Sequence, residues 1–200
     1  MTIRSLPVSA AAAAVATLAL AGCGGAQLAH SAGSVQTTPS PKASLNGGPP
    51  AHVAVIVMEN EELSDIIGSP DAPYINSLAR RYALARSMYA IAHPSLPNYL
   101  ALTGGSTFGI DSDCTGCDVH ATSIVDQLEP AGLSWKAYME DLPHPCFTGA
   151  GSGDYAKKHD PFAYYTRITN NPARCNRIVP LSQLAVDERT GALPRYIWIT

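Results

Sequence analysis

Ser95, in the string His93-Pro94-Ser95-Leu96-Pro97-Asn98-Tyr99, is the residue of this sequence best suited to nucleophilic chemistry. The two prolines bracket it and predict a helix start, where free backbone N–H groups and the helix dipole favour a phosphate. Asn98 follows three residues on, about one turn, so its side chain can return to the face of Ser95. Hydroxyl, amide and helix N-terminus together make a cradle for phosphoryl transfer. The same residues also read as an ordinary helix cap, with Pro97 tolerated in the first turn. Glu59-Asn60 is the second feature: a carboxylate beside an amide oxygen suits a hard divalent cation. Polar residues also follow a buried strand simply because it has reached solvent. The third is Lys157-Lys158-His159-Asp160-Pro161, where His159 could bind phosphate or donate a proton to a leaving group. The plainer reading is a solvated basic loop.

These residues need a scaffold. His52 to Met58 is a nearly continuous apolar run rich in β-branched residues, which predicts a strand buried on both faces. Glu59 and Asn60 would then lie beyond its carboxyl end, where open parallel sheets bind ligands. A helical period surrounds Ile75, Leu78, Ala79 and Tyr82. A short strand is predicted over 85–90 and a helix over 95–102. Further on come a helix at 123–128, a strand at 133–139, a helix at 181–186 and a strand at 196–200. Strands alternating with helices give an α/β domain with a mainly parallel sheet flanked by helices. The sequence stops within its last strand, at Trp198-Ile199-Thr200, so the domain is expected to be incomplete at its C-terminus.

Three segments organise the chain. Arg4 and the apolar stretch 8–21 form a signal peptide too short for a membrane-spanning anchor, and Leu20-Ala21-Gly22-Cys23 resembles the lipobox of bacterial lipoproteins. Lipidation of Cys23 would tie the exported protein to a membrane; a plain secretory signal is the alternative. Residues 24–50, rich in Gly, Ser, Thr and Pro, read as a disordered tether, leaving 51–200 as the folded domain. Net charge is −3 with no basic stripe, so no nucleic-acid partner is expected. Cys114, Cys117, Cys146 and Cys175 are an even set for an oxidising compartment. Cys114-x-x-Cys117 could be redox-active or half a zinc site, but no second ligand pair is apparent. Two structural disulfides, Cys114–Cys117 and Cys146–Cys175, are the preferred of three pairings.

Five co-linear strings carry a resemblance: V-I-V-M-E-N (55–60), H-P-S-L-P-N-Y-L-A-L-T-G-G (93–105), I-V-D-Q-L-E-x-A-G-L-S-W-K-A-Y-M-E (124–140), K-H-D-P-F-x-Y-Y (158–165) and I-V-P-L-S-Q-L (178–184). Over 53–200 the chain resembles the bacterial phosphoesterases that include secreted acid phosphatases and phospholipases C, of the alkaline phosphatase superfamily. The resemblance implies an alkaline-phosphatase-like fold and metal-dependent hydrolysis of a phosphate ester, of acid-phosphatase type. It implies Glu59 and Asn60 as ligands of a divalent cation, Ser95 as nucleophile and further cation ligand, and Asn98 as donor to a phosphate oxygen. His159 matches a histidine facing the phosphate, and His93 is a weaker candidate for that place. The family's remaining metal ligands, an Asp pair and a His, fall after residue 200, so this chain alone is expected to turn over little. A phospholipase C or other phosphodiesterase on the same scaffold is the enzymatic alternative. A non-catalytic, truncated surface lipoprotein is the alternative of another class.

Overall fold

The computed structural model describes residues 51–200; Cys23, the signal peptide and the tether lie outside the described residues. In chain order the elements are β1 (Val53–Ile56), α1 (Leu63–Ile66), α2 (Pro73–Arg81), α3 (Ser95–Gly104), α4 (Val125–Leu128), β2 (Trp135–Met139), β3 (Gly151–Ser152), β4 (Tyr155–Ala156), α5 (Thr166–Thr169), α6 (Pro172–Cys175), β5 (Ile178–Pro180), α7 (Ser182–Thr190) and β6 (Tyr196–Ile199). Two 3-10 turns, Lys157–His159 and Pro161–Tyr164, lie between β4 and α5.

The main sheet has the order β1-β6-β2-β5, and every neighbouring pair runs parallel. Its two faces follow from the two-residue period of the strands. Trp135, Ala137 and Met139 of β2 point to one side with Tyr196 and Trp198 of β6, and pack with Leu96, Tyr99, Leu100 and Phe162. Tyr138, Ile197 and Val179 point to the other side, against Leu181, Leu184 and Leu193 around α7. Helices on both faces of a parallel sheet give the expected α/β architecture.

The first face holds the larger core. Phe162 is fully buried, 5.3 Å from the Trp135 ring and edge-on to Trp198 at 5.6 Å. Truncating it to alanine would cost about 3–5 kcal/mol, transfer and cavity terms together. α3 lies against this face. It ends at Gly105, whose φ of 73° supplies the left-handed cap. A Cβ on the preceding Gly104 would stand 2.5 Å from the Tyr165 hydroxyl oxygen, so only glycine lets α3 approach that layer.

Two expectations need correction. β1 is not buried on both faces: it is the edge strand, paired with β6 alone among the described residues, and Val53 and Ile56 are 48 % and 63 % exposed. A continuous apolar run specifies a strand but not what flanks it. Residues 85–90 are not a strand either. They are irregular and exposed, because no neighbouring strand among the described residues offers them a hydrogen-bond ladder. The remaining predicted helices and strands stand, with boundaries moved by a few residues, whereas α1, β3, β4, α5, α6, β5 and the two 3-10 turns were not anticipated. Both preferred disulfides are present, with Cα–Cα distances of 5.7 Å for Cys114–Cys117 and 4.9 Å for Cys146–Cys175.

Candidate active site

The carboxyl end of β1 delivers Glu59 and Asn60 to the sheet's rim, both exposed. Asn60 sits at φ 54°, in the left-handed region that asparagine tolerates far better than β-branched residues. This kink turns the chain immediately after Glu59. The Glu59 carboxylate then meets two partners from other elements. Its Oε1 lies 2.7 Å from His159 Nε2 and accepts a hydrogen bond from the Tyr99 hydroxyl at 3.3 Å. The Tyr99 and His159 rings pack with centroids 5.3 Å apart.

Ser95 opens α3 and is half-buried. Tyr99 follows it by four residues, so the two share one face of the helix. Tyr99 is the residue on that side of α3 that contacts both Glu59 and His159. Ser95 does not act as a side-chain cap; the helix's capping position falls on Pro94 and forms no side-chain cap bond. The Leu96 N–H is bonded instead by Asp113, which accepts at 2.9 Å through Oδ1 while its Oδ2 accepts from Lys158 at 3.0 Å. With Lys158 as partner and Leu96 as donor, the Asp113 carboxyl titrates below its usual range despite the opposing effect of burial.

Asn98 takes a place the motif alone did not suggest. Its Oδ1 accepts from the N–H groups of Ile91 and Ala92, at 2.9 and 3.2 Å, and its Nδ2 donates to the carbonyls of Ala92 and Pro94, at 2.8 and 3.1 Å. The side chain thus knits the loop leading into Ser95. To reach a phosphate oxygen it would have to release one of these bonds. His93, on that same loop, is exposed.

His159 sits on the first 3-10 turn, about a fifth exposed. Burial depresses its pKa, and the attraction of Glu59 does not reverse the shift, so the imidazole is neutral around neutral pH. Although Nε2 is close to Glu59, their alignment makes no hydrogen bond, and Nε2 is a buried nitrogen without one. Such atoms are rare in folded proteins and commonly face a ligand or ion. The flanking residues fix the turn. Lys157 donates to the Thr115 carbonyl at 2.9 Å and lies 4.6 Å over the Tyr164 ring. Asp160 is completely buried, accepts from Tyr155 at 3.1 Å, and has its carboxyl pushed up to about 7, chiefly by burial.

Among the described residues no group of three or more His, Cys, Asp or Glu side chains is placed to hold a metal ion. The sequence-proposed donors Glu59, Asn60 and Ser95 are one carboxylate, one amide and one hydroxyl, and of the three only Glu59 is in contact with Tyr99 and His159. Together they are an oxygen donor set suited to a hard divalent cation, with a buried imidazole nitrogen lacking a partner beside Glu59. The donors fit such a cation in kind, though with a single anionic ligand. Tyr99 and Asp113 were not anticipated as site residues. Tyr99 stood in the 93–99 string without an assigned role, although its four-residue spacing from Ser95 placed it on the same side of the helix. Asp113 lay just before the Cys-x-x-Cys loop, and nothing in the sequence signalled its pairing across 17 residues.

The model of the Phosphoesterase family matches residues 68–200. A phosphatidylinositol-3-phosphatase of Mycobacterium tuberculosis is 39 % identical over 147 residues, which are 72 % of this chain and 47 % of that protein. An acid phosphatase of Aspergillus fumigatus is 31 % identical over 72 % of this chain and 33 % of its own length. A phosphate-repressible acid phosphatase of Penicillium chrysogenum is also 31 % identical, over 63 % of this chain and 32 % of its own length. The chain therefore spans about half of the mycobacterial protein and a third of the fungal ones.

Proposed function

From the premise that this chain belongs to the Phosphoesterase family, we propose that it carries the nucleophile segment of a metal-dependent phosphomonoesterase of acid-phosphatase type. The observation that carries the reading is the convergence of Glu59 and His159 on Tyr99 of α3, the helix that Ser95 opens. The Ser95 hydroxyl gives up its proton to water, its oxygen attacks phosphorus as the P–O ester bond breaks, and the departing alkoxide takes up a proton from water to leave as the alcohol, so that a phosphoseryl intermediate forms. Water then attacks that phosphorus and regenerates the serine. Glu59, Asn60 and the Ser95 oxygen would hold a divalent cation, which supplies a lowered pKa for the serine hydroxyl and compensation of the phosphate charge.

The protein's own groups do the remaining work. Neutral His159, its Nε2 free of hydrogen bonds, is suited to hydrogen-bond a phosphate oxygen. Asn98 holds the 91–95 loop so that Ser95 meets phosphorus in one geometry, and donates to the phosphate if it exchanges a backbone partner. The relatives' names favour monoesters over diesters, and the mycobacterial relative makes a phosphoinositide a substrate to try beside an aryl phosphate. Export fits the two disulfides, and Cys23 would add a lipid anchor. No helix among the described residues is long and apolar enough to cross a membrane.

The test is hydrolysis of an aryl phosphate by the protein carrying this chain, with and without a chelator. Turnover that disappears on chelation, returns with a divalent cation and is abolished by Ser95→Ala supports the reading. Turnover unaffected by chelation, or retained by Ser95→Ala, would overturn it.

A further inference from the structure

The loop closed by the Cys114–Cys117 disulfide is fastened to both halves of the candidate site. Asp113, at its edge, accepts from Leu96 N–H through Oδ1 and from Lys158 through Oδ2. Leu96 directly follows Ser95, and Lys158 directly precedes His159. Inside the loop, the Thr115 carbonyl accepts from Lys157, the preceding residue of the same turn. One carboxylate thus spans the start of the nucleophile helix and the turn carrying the imidazole. α3 has no cap from its own flanking side chains, so this long-range contact does that work. Both partners are only partly exposed, at 26 % and 37 % of their side chains, and the geometry joins two elements that share no other side-chain hydrogen bond among the described residues.

We propose that Asp113 is a positioning residue: with Lys158 as its second arm, it sets the separation and aim of Ser95 and His159. The inference rests on the reading of Ser95 as nucleophile. The partners of Asp113 are the Leu96 N–H and Lys158, so the effect assigned to it passes through the residues next to Ser95 and His159. The two arms can be separated. Asp113→Asn keeps an oxygen for the Leu96 N–H but faces Lys158 with an uncharged amide. Lys158→Met releases the turn and leaves the cap intact. Asp113→Ala removes both.

The experiment combines steady-state kinetics with amide exchange, both on the protein carrying this chain. Asp113→Ala should lower kcat by about a hundredfold with KM changed by less than about threefold, as misplacement of reacting atoms does. Asp113→Asn and Lys158→Met should each lower kcat by about tenfold, and Lys158→Arg should recover most of the loss seen with Lys158→Met. Exchange at the Leu96 amide should accelerate at least tenfold in Asp113→Ala and stay slow in Asp113→Asn and Lys158→Met, while the amides of the last turn of α3 hold in all three. An unchanged kcat in folded Asp113→Ala, a fall no greater than its loss of folded protein, or an unaltered Leu96 exchange rate would overturn the proposal. Ser95→Ala, run alongside, separates the two claims. If it turns over normally the nucleophile reading fails; if it is inactive while Asp113→Ala is normal, only the positioning role fails.

Discussion

Replacing Asp160 by asparagine should make this protein more stable, and only above mildly acidic pH. Asp160 is completely buried, accepts one hydrogen bond from the Tyr155 hydroxyl, and leaves Oδ1 without a partner. Burial lifts its carboxyl from 3.8 to about 7. Since the folded pKa lies above the unfolded one, folding takes up a proton between those values. Stability from this group is therefore complete below about pH 4 and declines as pH rises toward 7. The gap is about three pH units at about 1.4 kcal/mol each, so about 4 kcal/mol is lost by pH 8. Asparagine has the shape of the protonated acid, can accept from Tyr155 through its own oxygen, and does not ionise. Urea unfolding of both proteins from pH 4 to pH 8 isolates the term, because the carboxylates of Asp113, Asp126, Glu129 and Asp187, all held low, contribute equally to each. The variant should match wild type near pH 4 and gain steadily to about 4 kcal/mol at pH 8. A difference that stays flat across this range would show that burial does not hold the Asp160 proton.

Other perturbations test other parts. Arg174 donates to Glu129 at 2.6 and 2.9 Å and to Asp126 at 2.9 Å, so Arg174→Ala should cost about 2–3 kcal/mol at neutral pH. Both carboxylates titrate below their usual values, so the deficit should shrink as pH falls through that range in a denaturant series. Asn98→Ala should lower kcat for an aryl phosphate by about two to three orders of magnitude, as removal of a donor or of the loop's organiser would. A kcat within threefold of wild type would remove Asn98 from the mechanism. Cys23→Ser should release the protein from the membrane fraction or leave it unprocessed, which fractionation and N-terminal mass analysis would read; wild type found soluble and cleaved elsewhere would count against lipidation.

The parts of the fold legible in the sequence were those with a period. α3 and α7 and the strands β2 and β6 announce themselves through apolar spacing, the helices because each turns apolar residues to the sheet and the strands because their alternate residues feed the two cores; α2 was read from the same period although the one residue it buries is Asn76. β5 is three residues ending in Pro180, and β3 and β4 have two residues each, too short for any period to form. Residues 85–90 were read as a short strand yet make no ladder among the described residues, since pairing is a tertiary property. At the site, Ser95, Glu59 and His159 were readable from local chemistry. What joins them was not. Glu59 reaches Tyr99 across 40 positions, and Asp113 reaches Lys158 across 45. Asn98 was identified, but its commitment to the 91–94 backbone depends on a loop conformation that residue types do not encode.

The central claim is that Ser95 forms a covalent bond to phosphorus, and the most direct measurement is to catch that bond. The protein carrying this chain should be mixed with excess aryl phosphate, quenched in acid within a turnover, digested and mapped by mass spectrometry. One phosphoryl group should appear on the peptide containing Ser95, reach a steady level before substrate is exhausted, and be absent from Ser95→Ala. Phosphorylation found on His159 instead, or rapid turnover with no covalent phosphate at any residue, would contradict the account.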